Sequence, residues 1–80
     1  MREEILAKLN SLFQSIIDEE DVLLEEVTTA QDVEDWDSLN HITFIVSIEK
    51  SFQIKFTNAE INAWLSVGDI ISSIAEKFPE

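Results

Sequence analysis

Apolar residues recur at intervals of three and four over two long segments, residues 4–17 and 38–51, and this spacing constrains the fold more than any other feature. Residues three and four positions apart share one face of an α-helix, so each segment predicts an amphipathic helix with one buried stripe. The chain has only one Gly and one Pro, and 45% of its residues are hydrophobic, which favours packed helices over disorder. Its 80 residues suffice for one small domain, which we expect to span residues 1–80.

The first predicted helix runs from Glu4 to Ile17, and the second runs from Ser38 to Ser51. In the first helix the apolar stripe comprises Ile5, Leu6, Leu9, Leu12, Phe13, Ile16 and Ile17, opposite Lys8, Asn10 and Gln14. In the second segment the residues at helical spacing are Leu39, Ile42, Ile45, Val46, Ile48, Glu49 and Phe52. Both stripes are typical of helices that contribute to a core.

Two short polar motifs predict where two further helices begin. Thr57 and Glu60 form a capping box that starts a short third helix ending near Trp64, with Ile61 and Trp64 on its inner side. The same pattern at residues 66–69 opens a fourth helix from Val67, with the apolar face Ile70, Ile71, Ile74, Ala75 and Phe78 and an exit at Pro79. Residues 53–56 alternate like a strand, but a single strand has no partner and no sheet is predicted. The predicted fold is all-α.

Residues 18–37 form a long connection that contains ten acidic residues and no basic one. A connection of this length in a small domain is expected to have a function or to be anchored to the helices. The sequence is also compatible with a short helical turn within it. The apolar residues available to anchor it are Val22, Leu23, Leu24, Val27 and Val33. The acids Asp32, Glu34, Asp35 and Asp37 do not have the spacing or the Gly of an EF-hand loop. We expect a solvated acidic face and no metal site, with loose divalent-cation binding as the alternative.

Composition excludes several classes of function. The chain has no Cys, so it has no disulfide, no thiolate metal site and no thiol nucleophile of its own. No apolar run approaches the roughly 18 to 20 residues that span a bilayer, and a soluble, cytoplasmic, monomeric protein is the default expectation. A net charge of −12 argues against binding nucleic acid or anionic lipid and favours partners with basic surfaces.

The triplet Asp37-Ser38-Leu39 stands where the acidic segment meets the second helix. The first turn of a helix has unsatisfied backbone N–H groups and the positive end of the helix dipole, so a phosphate esterified to Ser38 would be favourably placed. The alternative is that Ser38 or Asp37 merely caps the helix. His41 lies one turn from Ser38, but a catalytic triad also needs an orienting acid and an oxyanion hole. We therefore expect His41 to be a surface residue and the protein not to be an enzyme.

This triplet, preceded by Trp36 and followed by an apolar helix ending at Phe52, closely resembles the prosthetic-group site of acyl carrier proteins. The resemblance extends to the order of all four helices and the long acidic loop. It implies an antiparallel four-helix bundle with a short third helix and a long first loop. It further implies a 4'-phosphopantetheine arm covalently attached to Ser38, with Asp37 positioning the transferase and Leu39 packing against visiting enzymes. A carrier of this kind presents acyl groups as thioesters and catalyses nothing.

The resemblance also implies partners: a phosphopantetheinyl transferase, and acyl-transferring, condensing or acyl-activating enzymes with basic surfaces. The sequence departs from fatty-acid biosynthesis carriers at Asn40, Thr43 and Lys50, where those proteins tend to be acidic. This departure favours a specialised lipid or polyketide-like pathway. A peptidyl or aminoacyl carrier is less favoured because the Gly-Gly-x-Ser pattern is missing. A noncatalytic acidic interaction module with the same fold remains the other alternative.

The sequence leaves open whether an acyl chain could be sequestered between the second and third helices. The side chains that could line such a cavity, or that could equally be plain core, are Phe44, Ile45, Ile48, Phe56, Ile61 and Trp64.

Overall fold

The computed structural model describes residues 2–19 and 21–77. Its four α-helices are α1 (Arg2–Ile17), α2 (Ser38–Phe52), α3 (Asn58–Ala63) and α4 (Val67–Glu76). A short 3₁₀ helix, Ala30–Asp32, lies in the acidic segment, whose sequence is compatible with such a turn. No strand occurs among the described residues, so the prediction of an all-α fold with a short third helix is confirmed. Phe78 and Pro79, predicted to end the fourth helix, lie outside the described residues.

The core forms where α1, α2 and α4 meet. Each helix contributes residues at helical spacing, and the fully or almost fully buried ones are Ile5, Leu9, Phe13, Phe44, Ile48, Val67, Ile70, Ile71 and Ile74. The ring of Phe13, near the end of α1, lies 5.1 Å from that of Phe44 and 5.0 Å from that of Trp36, which immediately precedes α2. The end of α1 therefore packs beside the beginning of α2, and these two helices are antiparallel.

The buried face of α2 carries Phe44, Ile45 and Ile48, whereas three of the residues at helical spacing are exposed: Leu39, Ile42 and Val46. Apolar residues occupy more than one side of this helix. Spacing alone then shows that a helix forms but does not show which side faces the core.

The acidic segment is held by fewer apolar anchors than predicted. Leu24 is fully buried and Val22 and Val33 are half-buried, but Leu23 and Val27 are exposed and anchor nothing. Two polar residues of α1 hold the segment as well. The Asn10 side chain accepts a hydrogen bond from the Leu24 N–H at 2.6 Å and donates one to the Leu24 carbonyl at 3.1 Å. Gln14 donates to the Val22 carbonyl at 2.7 Å.

The middle of the acidic segment is fastened to the start of α4. The Gly68 N–H donates to the Glu26 carbonyl oxygen at 2.8 Å, and the Glu26 carboxylate pairs with Arg2 at 2.7 Å. A Cβ atom at position 68 would lie only 3.0 Å from that carbonyl oxygen. A glycine therefore allows this close approach between loop and helix.

The short α3 is closed by the predicted capping box. Thr57 Oγ1 accepts from the Glu60 N–H at 3.1 Å, and the Glu60 carboxylate accepts from the Thr57 N–H at 2.8 Å. Two contacts at the helix ends fix α3 beside α4. Glu60 pairs with Lys77, which directly follows α4, at 3.0 Å, and the indole of Trp64, which directly follows α3, donates to Ser73 at 2.8 Å. Among the described residues, no helix combines the length and apolar character needed to cross a membrane.

Candidate functional site

Ser38 is the first residue of α2, and its side chain is exposed. The residue before it, Asp37, has extended backbone geometry and caps the helix by accepting a hydrogen bond from the Asn40 N–H at 2.8 Å. Within the described part of the chain the Ser38 hydroxyl has no hydrogen-bond partner. The capping role that would explain Ser38 structurally therefore belongs to Asp37.

The backbone leading into Ser38 is fixed by Trp36. This indole is buried, with its ring 5.0 Å from Phe13 and 5.6 Å from Phe44, and its N–H donates to Nδ1 of His41 at 2.9 Å. A second bond runs from the Asn40 side-chain amide to the Asp35 carbonyl at 2.7 Å. The chain before the helix is thus tied to the first turns of α2, which keeps the serine on a defined element.

His41 is half-buried rather than a free surface residue, which corrects the prediction. Burial lowers the pKa of its imidazole, so the ring is neutral at pH 7. In the neutral ring, Nδ1 accepts from Trp36 and Nε2 carries the proton. His41 therefore has no free basic nitrogen with which to activate Ser38.

The surroundings of Ser38 are acidic on the loop side. Glu34, Asp35 and Asp37 are all exposed. A hydrogen bond to the Asp35 carboxyl, reinforced by the charges of Asp35, Asp21 and Glu34, raises the pKa of Glu19. Among the described residues, no group of three or more His, Cys, Asp or Glu side chains has the arrangement needed to hold a metal ion.

A cavity of about 40 Å³ lies between the beginning of α2 and the link from α3 to α4. It is lined by Ala30, Trp36, His41, Trp64, Leu65, Ser66 and Ile70. Since one water needs roughly 10 to 15 Å³ by this measure, the cavity has room for a few waters but not for an acyl chain. Of the side chains considered for a chain-binding cavity, only Trp64 lines it, while Phe44 and Ile48 are fully buried in the core.

The fold of this chain is similar to that of a protein whose structure has been solved. A holo acyl carrier protein from Geobacter metallireducens, determined in solution by NMR, superposes with a TM-score of 0.85 at 34% sequence identity. The similarity covers 91% of this chain and 84% of the other. No protein-family model and no curated protein sequence matches the chain.

Fold and similarity together define a small all-helical carrier protein rather than an enzyme. The chain belongs to the acyl carrier protein family. Members of this family interact with acyl-handling enzymes, and the holo form of the solved relative carries a prosthetic group.

Two features of the site were missed by the sequence analysis. The first is the pair formed by Trp36 and His41. A buried Trp usually needs a partner for its N–H, and the only His lies five residues away, so the pair could have been sought. The second is the exposure of Ile42 and Val46. Their spacing is the same whether the side chains are buried or exposed, so it could not predict this.

Proposed function

We propose that this protein carries acyl intermediates as thioesters on a 4'-phosphopantetheine arm attached to Ser38. The observation that carries the proposal is the exposed Ser38 hydroxyl, which stands at the start of a 15-residue helix and has no structural role of its own among the described residues. When bound, the arm supplies the thiol that this cysteine-free chain lacks.

The residues around Ser38 fit a phosphate ester. A phosphodiester on Ser38 Oγ would lie at the positive end of the α2 dipole, where the first-turn N–H groups favour negative charge. Asp37 satisfies the Asn40 N–H and fixes the direction in which α2 begins. By family resemblance it also helps to position the transferase that moves the arm from coenzyme A, while Leu39 contacts visiting enzymes.

The pathway proposal rests on the surface of α2. Asn40, Thr43 and Lys50 stand where fatty-acid carriers tend to be acidic. This difference supports a role in a specialised lipid or polyketide-like pathway. We further propose one carrier domain over residues 1–80 that acts as a monomer in the cytoplasm. A cysteine-free chain is compatible with that reducing compartment.

The test is incubation of the purified protein with coenzyme A, Mg²⁺ and a broad-specificity phosphopantetheinyl transferase, followed by intact-mass measurement. We expect the mass of one arm to be added to wild type and not to Ser38→Ala. Ser51→Ala is the matched control because Ser51 is an exposed serine at the other end of α2, and it should be modified like wild type. A folded wild-type protein that gains no mass would overturn the proposal.

A further inference from the structure

An open groove of about 520 Å³ runs beside the first half of α1, and we name it the α1 groove. Most of its lining is apolar, and these side chains are Leu6, Ala7, Leu23 and Leu24. Its volume falls within the roughly 300 to 1,000 Å³ of ligand-binding hollows. The described residues that line it belong to α1 and to the acidic segment, and none belongs to α2, α3 or α4.

The shape of the α1 groove is fixed by Asn10. Its side-chain amide donates to the carbonyl oxygens of Leu6 at 3.2 Å and Leu24 at 3.1 Å, and it accepts from the Leu24 N–H at 2.6 Å. These bonds hold the acidic segment on α1, with Leu24 fully buried and the adjacent Leu23 side chain 69% exposed. A large aliphatic side chain is thus kept in water at a fixed place beside other apolar groups, which indicates an interaction surface.

Carboxylates accompany this apolar lining. Glu3 and Glu25 line the α1 groove, and among the described residues neither forms an ion pair. A second hollow, of about 490 Å³, is also lined by Leu23 and carries four acids: Glu19, Asp32, Glu34 and Asp35. No Lys, Arg or His within residues 2–19 and 21–77 lines either hollow. The surface on both sides of Leu23 therefore combines hydrocarbon with uncompensated negative charge.

The α1 groove lies away from Ser38. The helices α1 and α2 are antiparallel, and Phe13 near the end of α1 contacts Trp36, which precedes Ser38 by two residues. Leu6 lies about two helical turns before Phe13, or about 10 Å further along α1. A molecule bound in the α1 groove would therefore leave Ser38 and α2 uncovered.

We infer that the α1 groove binds a basic amphipathic segment of a partner protein. Apolar side chains of this segment enter the groove against Leu6 and Leu23, and Lys or Arg residues beside them pair with Glu3 and Glu25. The segment holds the protein while Ser38 stays accessible. This inference goes beyond the proposed carrier function and does not depend on an arm at Ser38.

The chemistry of the surface selects this class of partner. A purely apolar ligand would remove water from the carboxylates without replacing its hydrogen bonds, and a lone cation would leave the apolar wall in water. A basic amphipathic helix satisfies both parts, since helices of this kind commonly place their apolar face in a hydrophobic groove. A second copy of this chain is a poor occupant, because two chains of net charge −12 repel each other.

The probe for the test is a synthetic peptide of about 14 residues, about 21 Å long as a helix, with Leu along one face and Lys elsewhere. Its titration into isotope-labelled protein, followed by NMR, gives both the Kd and the residues affected. We expect the largest changes in chemical shift at Leu6, Leu23 and Glu25, and little change at Ser38 and Leu39. A peptide of the same composition whose Leu residues are spread around the helix should bind about tenfold more weakly.

Two pairs of variants test the contacts. Leu23→Gln removes apolar surface without changing charge and should raise the Kd about tenfold, as for one important interface side chain. Ile42→Gln is its matched control, because Ile42 is 60% exposed but lies on α2, and it should stay within about twofold. Glu25→Gln should raise the Kd about threefold, as for one exposed ion pair, and more than Glu76→Gln, which removes an exposed charge at the end of α4.

Three outcomes would overturn the inference. Binding that survives in Leu23→Gln but is lost in Ile42→Gln would place the peptide on α2. Spermine, a cation without an apolar face, binding as tightly as the peptide would mean that the surface is only an acidic patch. Equal effects of Glu25→Gln and Glu76→Gln would mean that net charge alone attracts the peptide. Thermal unfolding checks that each variant is folded.

The carrier function is tested separately. A protein that binds the peptide in the α1 groove but is never modified at Ser38 would refute the carrier function and leave this inference standing. A protein that is modified at Ser38 but does not bind the peptide would do the reverse.

Discussion

At the scale of single residues, Trp36 holds the chain in place immediately before the serine. Its ring packs against Phe13 and Phe44, and its N–H donates to His41 at 2.9 Å. The hydrogen bond exists only while Nδ1 of His41 is unprotonated, because a protonated imidazole has no acceptor nitrogen. The arrangement of the approach to Ser38 therefore depends on pH.

The protonation of His41 gives a testable stability effect. Because burial lowers the folded-state pKa of His41, the unfolded chain takes up this proton first as the pH falls. Neutral His41 makes its full contribution to the free energy of unfolding above the ordinary imidazole pKa of about 6.5. This contribution is lost as the pH falls from there through the lower folded-state pKa. His41→Gln keeps an acceptor but cannot be protonated.

We expect the melting temperature of wild type to fall relative to that of His41→Gln between about pH 7 and about pH 5, since only wild type has the imidazole. Circular-dichroism melts of both proteins in the same buffers measure the difference and cancel the titration of the carboxylates. Curves that stay parallel over this range would contradict the account.

Asn10 is the residue that binds the acidic segment to α1 most directly. Asn10→Ala would leave the N–H of the buried Leu24 without its partner at 2.6 Å. The cost of a buried donor left unpaired is about 1 to 3 kcal/mol of unfolding free energy. Urea unfolding measures it, and Asn62→Ala on the exposed side of α3 should change stability by less than about 0.5 kcal/mol. Equal losses of unfolding free energy in the two variants would show that the hydrogen bonds of Asn10 do not contribute to stability.

At the scale of elements, the acidic segment combines fixed points with local repulsion. Asn10 and Gln14 hold its beginning, Gly68 meets its middle, and Trp36 holds its end. Between these points Glu19 and Asp35 place two carboxyl groups within hydrogen-bond reach, which raises the pKa of Glu19. The segment is thus ordered by backbone hydrogen bonds and buried side chains in spite of its charge.

Removing the charge of Glu19 should stabilise the protein at neutral pH. Because the pKa of Glu19 is raised in the folded state, its protonated carboxyl group stabilises the fold below the unfolded-state pKa. This stabilisation is lost as the pH rises through the folded-state pKa. Glu19→Gln can still hydrogen-bond to Asp35 without repelling it. We expect a higher melting temperature than wild type at pH 7 and a smaller difference near pH 4.

The control for this prediction is Glu25→Gln, which removes one charge from the same segment at an exposed position. It should raise the melting temperature less than Glu19→Gln does. If both variants raise it equally, the effect belongs to net charge and not to the contact between Glu19 and Asp35.

The positions of the helices could be predicted from the sequence, but the face that each helix buries could be predicted only in part. Capping residues such as Thr57 and Glu60 mark a helix start locally, and the structure confirms them. Which face of α2 is buried depends on where Phe13 meets Trp36 and Phe44, and Phe13 lies far from both in the sequence. For the same reason the polar residues Asn10 and Gln14 gave no sign that they would bind the loop.

The position of Ser38 could be predicted because its signals are local. The change from an acidic segment to helical spacing places Ser38 at a helix start, and the structure has α2 beginning at that residue. The His41 environment could not be predicted in this way, since it depends on the burial of Trp36 against α1.

At the scale of the whole molecule, the net charge of −12 should make stability sensitive to ions. The ion pairs among the described residues include Arg2 with Glu26 and Lys77 with Glu60, which leave most of the acids in the segment 18–37 uncompensated. Added NaCl or Mg²⁺ should therefore raise the melting temperature by screening repulsion. Differential scanning calorimetry checks this, and a melting temperature indifferent to both would mean that the charges are already compensated.

The molecule also separates most of its acids from the apolar surface of α2. Acids concentrate in the segment before Ser38, and the exposed apolar residues Leu39, Ile42 and Val46 follow it on α2.

The most direct test of the carrier function is the mass of the protein purified from its own host, with fragmentation to locate any modification. The account predicts a phosphopantetheine arm on Ser38, free or acylated, and no arm on any other serine. A native protein that is unmodified at Ser38 while the host's other carriers bear their arms would contradict it.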